Sequence, residues 1–234
     1  MDFIYWRHPT PPGIKVEEIT GGDYYKGDTW RQMAVQLYGE NGKEAYREIG
    51  HYNSGAPFLI NESSRISITH CPGLWAVATL PSTPEVNLNE FSSRACLGID
   101  AERADRSQVL RLRERFLNSV ELNMIDADDL TSNIMAWTMK EAAYKAALTP
   151  GLDFREQIVI KRMPKLGPPT PVFDAGEFGL PKGTKNIPED FFGDTELFIQ
   201  ERVIKLRVYS YISDDFIVTL CYSPNCAKFG SAVS

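Results

Sequence analysis

Polar and apolar positions alternate through Arg65-Ile66-Ser67-Ile68-Thr69-His70, and Leu74-Trp75-Ala76-Val77-Ala78-Thr79-Leu80 is apolar almost throughout. The first run has the period of a half-buried strand, and the second reads as a buried strand. Pro72-Gly73 between them is a turn signal, so the pair predicts a hairpin. Further strands are predicted at Ala95–Glu102, Gln157–Lys161, Ile204–Ile212 and Phe216–Tyr222, the last two joined through Ser213-Asp214-Asp215 as a hairpin. Phe58-Leu59-Ile60 reads as a short extended run after the break at Gly55-Ala56-Pro57.

Helical spacing appears in four places. Trp30, Ala34 and Leu37 share a face over Gly27–Tyr38, with Gly39 as the stop, and a short helix is predicted over Lys43–Ile49. Val109, Leu112 and Phe116 mark a helix over Ser107–Leu117. The longest helix is predicted from Asp129 to Leu148, ended by Pro150-Gly151. The opening stretch, punctuated by Pro9, Pro11, Pro12, Gly13, Gly21 and Gly22, reads as irregular. So do a polar loop at 81–90, a Pro-rich loop over Met163–Asp194 and a frayed tail over 223–234. Each half of the chain runs from a helical segment into a hairpin, an order consistent with an old duplication.

Length and composition narrow the class. With 234 residues, 43% hydrophobic and 24% charged, the chain can bury a sizeable core as one large domain or two small lobes. No apolar run is long enough to span a membrane, and the start at Met1-Asp2-Phe3-Ile4 lacks the basic-then-apolar order of a secretory signal. A cytoplasmic protein with no membrane partner is the expectation. Cys71, Cys96, Cys221 and Cys226 form no C-x-x-C pair and do not cluster with His8, His51 or His70, so they are expected to be free thiols. A net charge of −6 argues against nucleic-acid binding. Arg103, Arg106, Arg111, Arg113 and Arg115 nevertheless concentrate within thirteen positions. Interleaved with Glu102, Asp105 and Glu114, they read on spacing alone as a solvated helix face, or else as a basic patch for an acidic partner.

Two segments carry candidate chemistry. On a strand, residues two apart share a face, so Asp100 and Glu102 in Leu97-Gly98-Ile99-Asp100-Ala101-Glu102 project together while Ala101 faces the core. Adjacent carboxylates repel unless a cation or proton lies between them, although two exposed acids at a strand end fit the spacing as well. In Trp137-Thr138-Met139-Lys140-Glu141-Ala142-Ala143-Tyr144-Lys145, the residues Trp137, Glu141 and Lys145 fall four apart on one helix face. That is either an exposed Glu–Lys pair beside a core Trp, or a partly buried pair in need of partners. Taken together, Asp100, Glu102 and Glu141 offer oxygen ligands of the kind magnesium prefers, with Lys145 one turn on for a phosphate oxygen.

The pairing of Gly-Ile-Asp-x-Glu with Trp-x-x-Lys-Glu-x-x-x-Lys resembles the signature of the 4′-phosphopantetheinyl transferase superfamily, in order and in spacing. The size resembles the longer, pseudo-dimeric type that activates peptide synthetases. Ile68-Thr69-His70 is similar to that type's Ile-Ser-His segment, and Gly55-Ala56-Pro57 to its Gly-Lys-Pro segment. The resemblance spans roughly Gly55 to Tyr222. It implies that Asp100, Glu102 and Glu141 bind Mg2+ with the diphosphate of coenzyme A. It also implies that Glu141 helps deprotonate a carrier-protein serine, and that Lys145 contacts the attacked phosphate with Lys140 nearby. Thr69 and His70 would hold the 3′-phosphate, with Gly55 and Pro57 beside the coenzyme. Arg106, Arg111 and Arg113 would dock an acyl or peptidyl carrier protein.

The implied fold is α+β, with two similar lobes, each a helix packed on an antiparallel sheet. The N-terminal lobe would cover 1–94 and the C-terminal lobe 95–222, followed by the tail 223–234. Coenzyme A would lie in the cleft of a monomer. Ala56 stands where the family has Lys, Glu17 and Glu18 stand where relatives carry basic residues, and 81–90 reads as an insertion. The expected activity is transfer of 4′-phosphopantetheine from coenzyme A to the carrier serine, releasing 3′,5′-ADP. A divergent relative that binds a carrier or nucleotide without transfer is the alternative, and an unrelated magnesium phosphohydrolase is a third reading.

Overall fold

The computed structural model describes residues 4–7, 14–20, 49–52, 55–60, 65–80, 97–166, 189–213 and 215–223. Within them the chain mixes helix with antiparallel sheet. A first sheet is formed by β1 (Ile4–Arg7), β2 (Lys15–Thr20), β5 (Arg65–Cys71) and β6 (Leu74–Leu80), in the order β1-β2-β6-β5. The short strands β3 (Ile49–His51) and β4 (Pro57–Leu59) pair with each other. A second sheet takes the order β7-β11-β10-β9-β8, from β7 (Leu97–Arg103), β8 (Ile158–Arg162), β9 (Phe192–Ile199), β10 (Arg202–Ser213) and β11 (Phe216–Tyr222). The helices are α1 (Gln108–Phe116), α2 (Ser119–Met124) and α3 (Leu130–Ala147).

The period-two alternation of the second sheet produces its layering. Ile99, Ala101, Val218, Leu220 and Tyr222 face one core cluster, shared with Val16, Leu74, Ala76, Ala78 and Leu80 of the first sheet. The opposite face presents Ile217 and Cys221 to a second cluster, built with Met139, Ala142, Ala143 and Ala146 of α3. The second sheet is thus covered by α3 on one side and by the first sheet on the other. The alanines let α3 lie close to β7. A Cβ placed on Gly98 would fall 1.9 Å from the Ala142 carbonyl oxygen and 2.7 Å from the Ala146 nitrogen, so glycine is what permits the crossing.

The two sheets also meet along a polar seam. The Ile99 amide donates to Ser67 Oγ at 3.0 Å and the Ala101 amide to Thr69 Oγ1 at 3.2 Å. Among the described strands β7 is at the edge of its sheet, and two hydroxyls of β5 supply partners to these amides.

The predicted hairpin of β5 and β6 forms, with Gly73 at φ +92 in its turn. The opening stretch, expected to be irregular, instead holds β1 and β2, and the Pro-rich loop ends earlier than expected, at β9. β9 was missed because Phe192-Gly-Asp-Thr-Glu-Leu-Phe-Ile interrupts its alternation with Gly193 and two acids. Gly193 is there for a close approach, since a Cβ would come within 2.4 Å of the Arg162 carbonyl oxygen. α2 was also missed, although Asn118-Ser-Val-Glu121 spells its capping box: the Asn118 side chain accepts from the Val120 and Glu121 amides, and Glu121 accepts from the Asn118 amide. α3 starts one residue inside the predicted range and ends at Leu148, which turns left-handed at φ 51 before Pro150. Cys71 and Cys221 are buried free thiols, as expected. The helices predicted over 27–38 and 43–49, the insertion 81–90, Cys96 and Cys226 lie outside the described residues, except that Ile49 begins β3.

Candidate active site

The Gly98 crossing brings two chemistry-bearing segments together. Two residues beyond it on β7, Asp100 is only 6% exposed. One turn beyond Glu141 on α3, the Lys145 ammonium donates to Asp100 Oδ1 at 2.7 Å and to the Ile99 carbonyl at 3.0 Å. Thr69 Oγ1 donates to the same Asp100 Oδ1 at 3.0 Å. Asp100 Oδ2 is buried and has no hydrogen-bond partner among the described residues. A carboxylate oxygen left so is costly, and such an atom calls for a ligand.

Glu141 makes no hydrogen bond or ion pair among the described residues. Burial raises its pKa, and the nearby Asp100 carboxylate raises it further, against the opposing pull of Lys145 and Arg106. The Asp100 carboxylate thus disfavours the charged form of Glu141, the situation that a cation relieves. Glu102 differs. Its Oε1 accepts from the Trp137 indole at 3.1 Å and from Arg106, whose guanidinium also lies over the Trp137 ring at 5.8 Å. Among the described residues no three His, Cys, Asp or Glu side chains are gathered as a metal cluster. What the structure does bring together is a pair, the orphaned oxygen of Asp100 and the unpartnered Glu141. One or two carboxylates completed by water and substrate phosphate is the usual magnesium arrangement, so this donor set fits the ion.

A cavity of about 240 Å³ opens at Lys145, between the β4–β5 region and the C-terminal end of α3. Gly55, Pro57, Ser67, Tyr144, Lys145 and Thr149 are among its walls. Lys145 is therefore common to the cavity and to Asp100, and it can present positive charge to an anionic group lodged there.

Other predicted site residues are placed differently from their expected roles. Lys140 was expected near the phosphates, but it is fully buried and donates to Glu121 Oε2 at 2.7 Å and to the Phe154 and Ile158 carbonyls at 2.6 Å each. All its donors are used inside the core, where they tie α3 to α2 and β8. Thr69 was expected on the 3′-phosphate, but its hydroxyl is buried between Asp100 and the Ala101 amide. His70 is exposed and stacks on Trp75 with ring centroids 4.5 Å apart. Partial burial and then Lys145 hold its pKa below the usual value, against the opposing pull of Asp100.

The arginines divide too. Arg106 is taken up by Glu102. Arg113 donates to Asn133 Oδ1 at 3.1 Å and to the Ile125 carbonyl at 2.6 Å, so it braces the α2–α3 connection rather than facing a partner. Arg111 is exposed and makes no hydrogen bond or ion pair among the described residues. Sequence reasoning overlooked Ser67 and Tyr144 as cavity residues. The alternation of β5 could have flagged Ser67, since it falls on the same face as Thr69.

Residues 96–177 match the family model of the 4′-phosphopantetheinyl transferase superfamily. The resemblance read from the two acidic motifs is thus shown over this segment, which contains Asp100, Glu102, Glu141 and Lys145. No curated protein matches the chain. The superfamily match covers β7, α1, α2, α3 and β8, the elements that build the carboxylate pair and its lysine.

Proposed function

We propose that this chain transfers 4′-phosphopantetheine from coenzyme A to a serine of an acyl or peptidyl carrier protein, in a reaction that requires Mg2+. The observation that carries this reading is the buried Asp100 Oδ2, unpartnered among the described residues, on a carboxylate that raises the pKa of Glu141, with Lys145 joining Asp100 to an open cavity. Asp100 and Glu141 would hold the ion, and Glu102 would join them if Arg106 moved away from it. When bound, Mg2+ supplies charge neutralisation at the diphosphate.

The chain's own residues do the rest. Lys145 offers its ammonium to the phosphate oxygens at the mouth of the cavity. The cavity wall of Gly55, Pro57 and Tyr144 encloses part of the coenzyme and limits its motion. Glu141, its pKa raised by burial and by Asp100, receives the proton of the carrier serine directly or through a water. The serine oxygen then forms a bond to the β-phosphorus, the bond from that phosphorus to the oxygen bridging the α-phosphate breaks, and 3′,5′-ADP leaves with the electron pair. Exposed Arg111 on α1 would meet acidic residues of the carrier.

In this reading the chain is a two-lobed monomer of the longer type, with an N-terminal lobe over 1–94, a C-terminal lobe over 95–222 and a tail over 223–234. The alternative, a relative that binds coenzyme A or a carrier without transfer, is supported by Ala56 at the position of the family's lysine and by the diversion of Thr69 to Asp100. Release of 3′,5′-ADP that depends on a carrier serine separates the two readings. Glu141→Gln keeps the shape of the side chain and removes its charge, so it is expected to abolish transfer while leaving the thermal unfolding midpoint near that of wild type. Normal transfer by Glu141→Gln would overturn the assignment of this residue.

A further inference from the structure

The Thr69 hydroxyl occupies a position that its expected phosphate contact does not explain. It is buried, it donates to Asp100 Oδ1, and it accepts from the amide of Ala101, the residue that follows Asp100. A hydroxyl has one proton to donate, and here that proton is committed to the carboxylate. Lys145 holds the same oxygen, at 2.7 Å, from the opposite element of the fold. Oδ1 is therefore fixed from both β5 and α3, and Oδ2 is the oxygen of Asp100 left without a partner among the described residues. Ser67 repeats the edge contact two residues earlier, with the Ile99 amide, so the register of β7 against β5 is set by a pair of hydroxyls.

We propose that Thr69 is a positioning residue: its hydroxyl, shared between Asp100 Oδ1 and the Ala101 amide, orients Asp100 so that Oδ2 is the oxygen offered to the cation, and it does not contact the 3′-phosphate of coenzyme A. The proposal rests on the reading of Asp100 and Glu141 as a cation site. Outer partners of ligating carboxylates act by fixing orientation, and removing one costs about 10- to 100-fold in metal affinity. The methyl group of threonine plays no part in this, so serine should substitute for it and valine, which has the same shape without the hydroxyl, should not.

The test is titration of the full chain with Mn2+ alone, read by electron paramagnetic resonance of the free ion, for wild type, Thr69→Val and Thr69→Ser. Thermal unfolding checks that each variant is folded. In parallel, kcat/KM is compared for coenzyme A and 3′-dephospho-coenzyme A. We expect Thr69→Val to bind Mn2+ about 10- to 100-fold more weakly, Thr69→Ser to bind like wild type, and the preference between the two coenzymes to be the same in all three proteins. Unchanged Mn2+ binding in Thr69→Val, with a preference shifted toward the dephospho form, would overturn the proposal and restore a phosphate contact. Equal weakening in Thr69→Val and Thr69→Ser would also overturn it, because the hydroxyl would then not be the determinant. If wild type itself fails to bind Mn2+, the cation reading of Asp100 and Glu141 falls and takes this proposal with it, an outcome distinct from the other two.

Discussion

Gly98→Ala tests the contact on which the whole site depends. The added Cβ would meet the Ala142 carbonyl oxygen at 1.9 Å and the Ala146 nitrogen at 2.7 Å, whereas ordinary contact begins at 3.4 Å. To accept it, α3 has to retreat from β7 by about 1.5 Å, the gap between those first and last values. Overpacking of this kind costs about 1–3 kcal/mol. The functional effect is expected to be larger than the loss of stability suggests. β7 carries Asp100 and α3 carries Glu141 and Lys145, so the retreat widens the site itself, including the 2.7 Å bond from Lys145 to Asp100. A displacement of about 1 Å at a reacting centre can cost on the order of 10²-fold in rate. Urea unfolding gives the first quantity, and the rate of phosphopantetheine transfer to an apo carrier protein gives the second. Because the atoms met belong to the backbone, trimming the helix with Ala146→Gly should not rescue Gly98→Ala. Wild-type transfer by a destabilised Gly98→Ala would refute the claim that the β7–α3 spacing sets the site. Wild-type stability as well would refute the close crossing.

Two further expectations concern residues that the structure moves away from their expected roles, and a third concerns one that it leaves exposed. Lys140→Met leaves the buried Glu121 carboxylate without its counter-ion and should cost about 3–5 kcal/mol in urea unfolding, while the KM for coenzyme A of the folded protein stays unchanged. A raised KM with intact stability would return Lys140 to the phosphates. Arg113→Ala should lower stability by about 1.5–3 kcal/mol through loss of its bonds to Asn133 and the Ile125 carbonyl, with no specific effect on carrier KM. Arg111→Glu should do the reverse, raising the carrier KM without changing coenzyme A affinity or stability, and an unchanged carrier KM would remove it from the docking surface.

The parts of this arrangement legible in the sequence were those governed by local periodicity. The alternation of Arg65–His70, the Pro72-Gly73 turn and the apolar run to Leu80 define a hairpin with little reference to the rest of the chain, and the spacing of Trp137, Glu141 and Lys145 defines one helix face. The juxtaposition of Asp100 with Lys145 was legible only through the combined motifs, since the contact depends on Gly98 and the alanines of α3 meeting across the sheet. The roles of Lys140, Thr69 and Arg113 were not legible. Each is a polar residue whose partners lie in distant segments: Glu121 and the Ile158 carbonyl, Asp100, and Asn133. A sequence motif records that such a residue is present but not which way its hydrogen bonds run. α2 could have been read, because its capping box is written out at Asn118–Glu121. β9 could not, because the glycine that interrupts it serves a close approach from Arg162 that only the folded sheet reveals.

The measurement that bears most directly on the central claim is intact-mass spectrometry of apo carrier proteins incubated with this protein, coenzyme A and Mg2+. Fatty-acid, polyketide and peptidyl carriers would be compared. The account predicts the addition of one phosphopantetheine group to the carrier serine, accompanied by 3′,5′-ADP and lost both in EDTA and with Glu141→Gln. No addition to any of the three carriers, from a folded protein that still binds coenzyme A, would contradict it and leave a relative that binds without transfer.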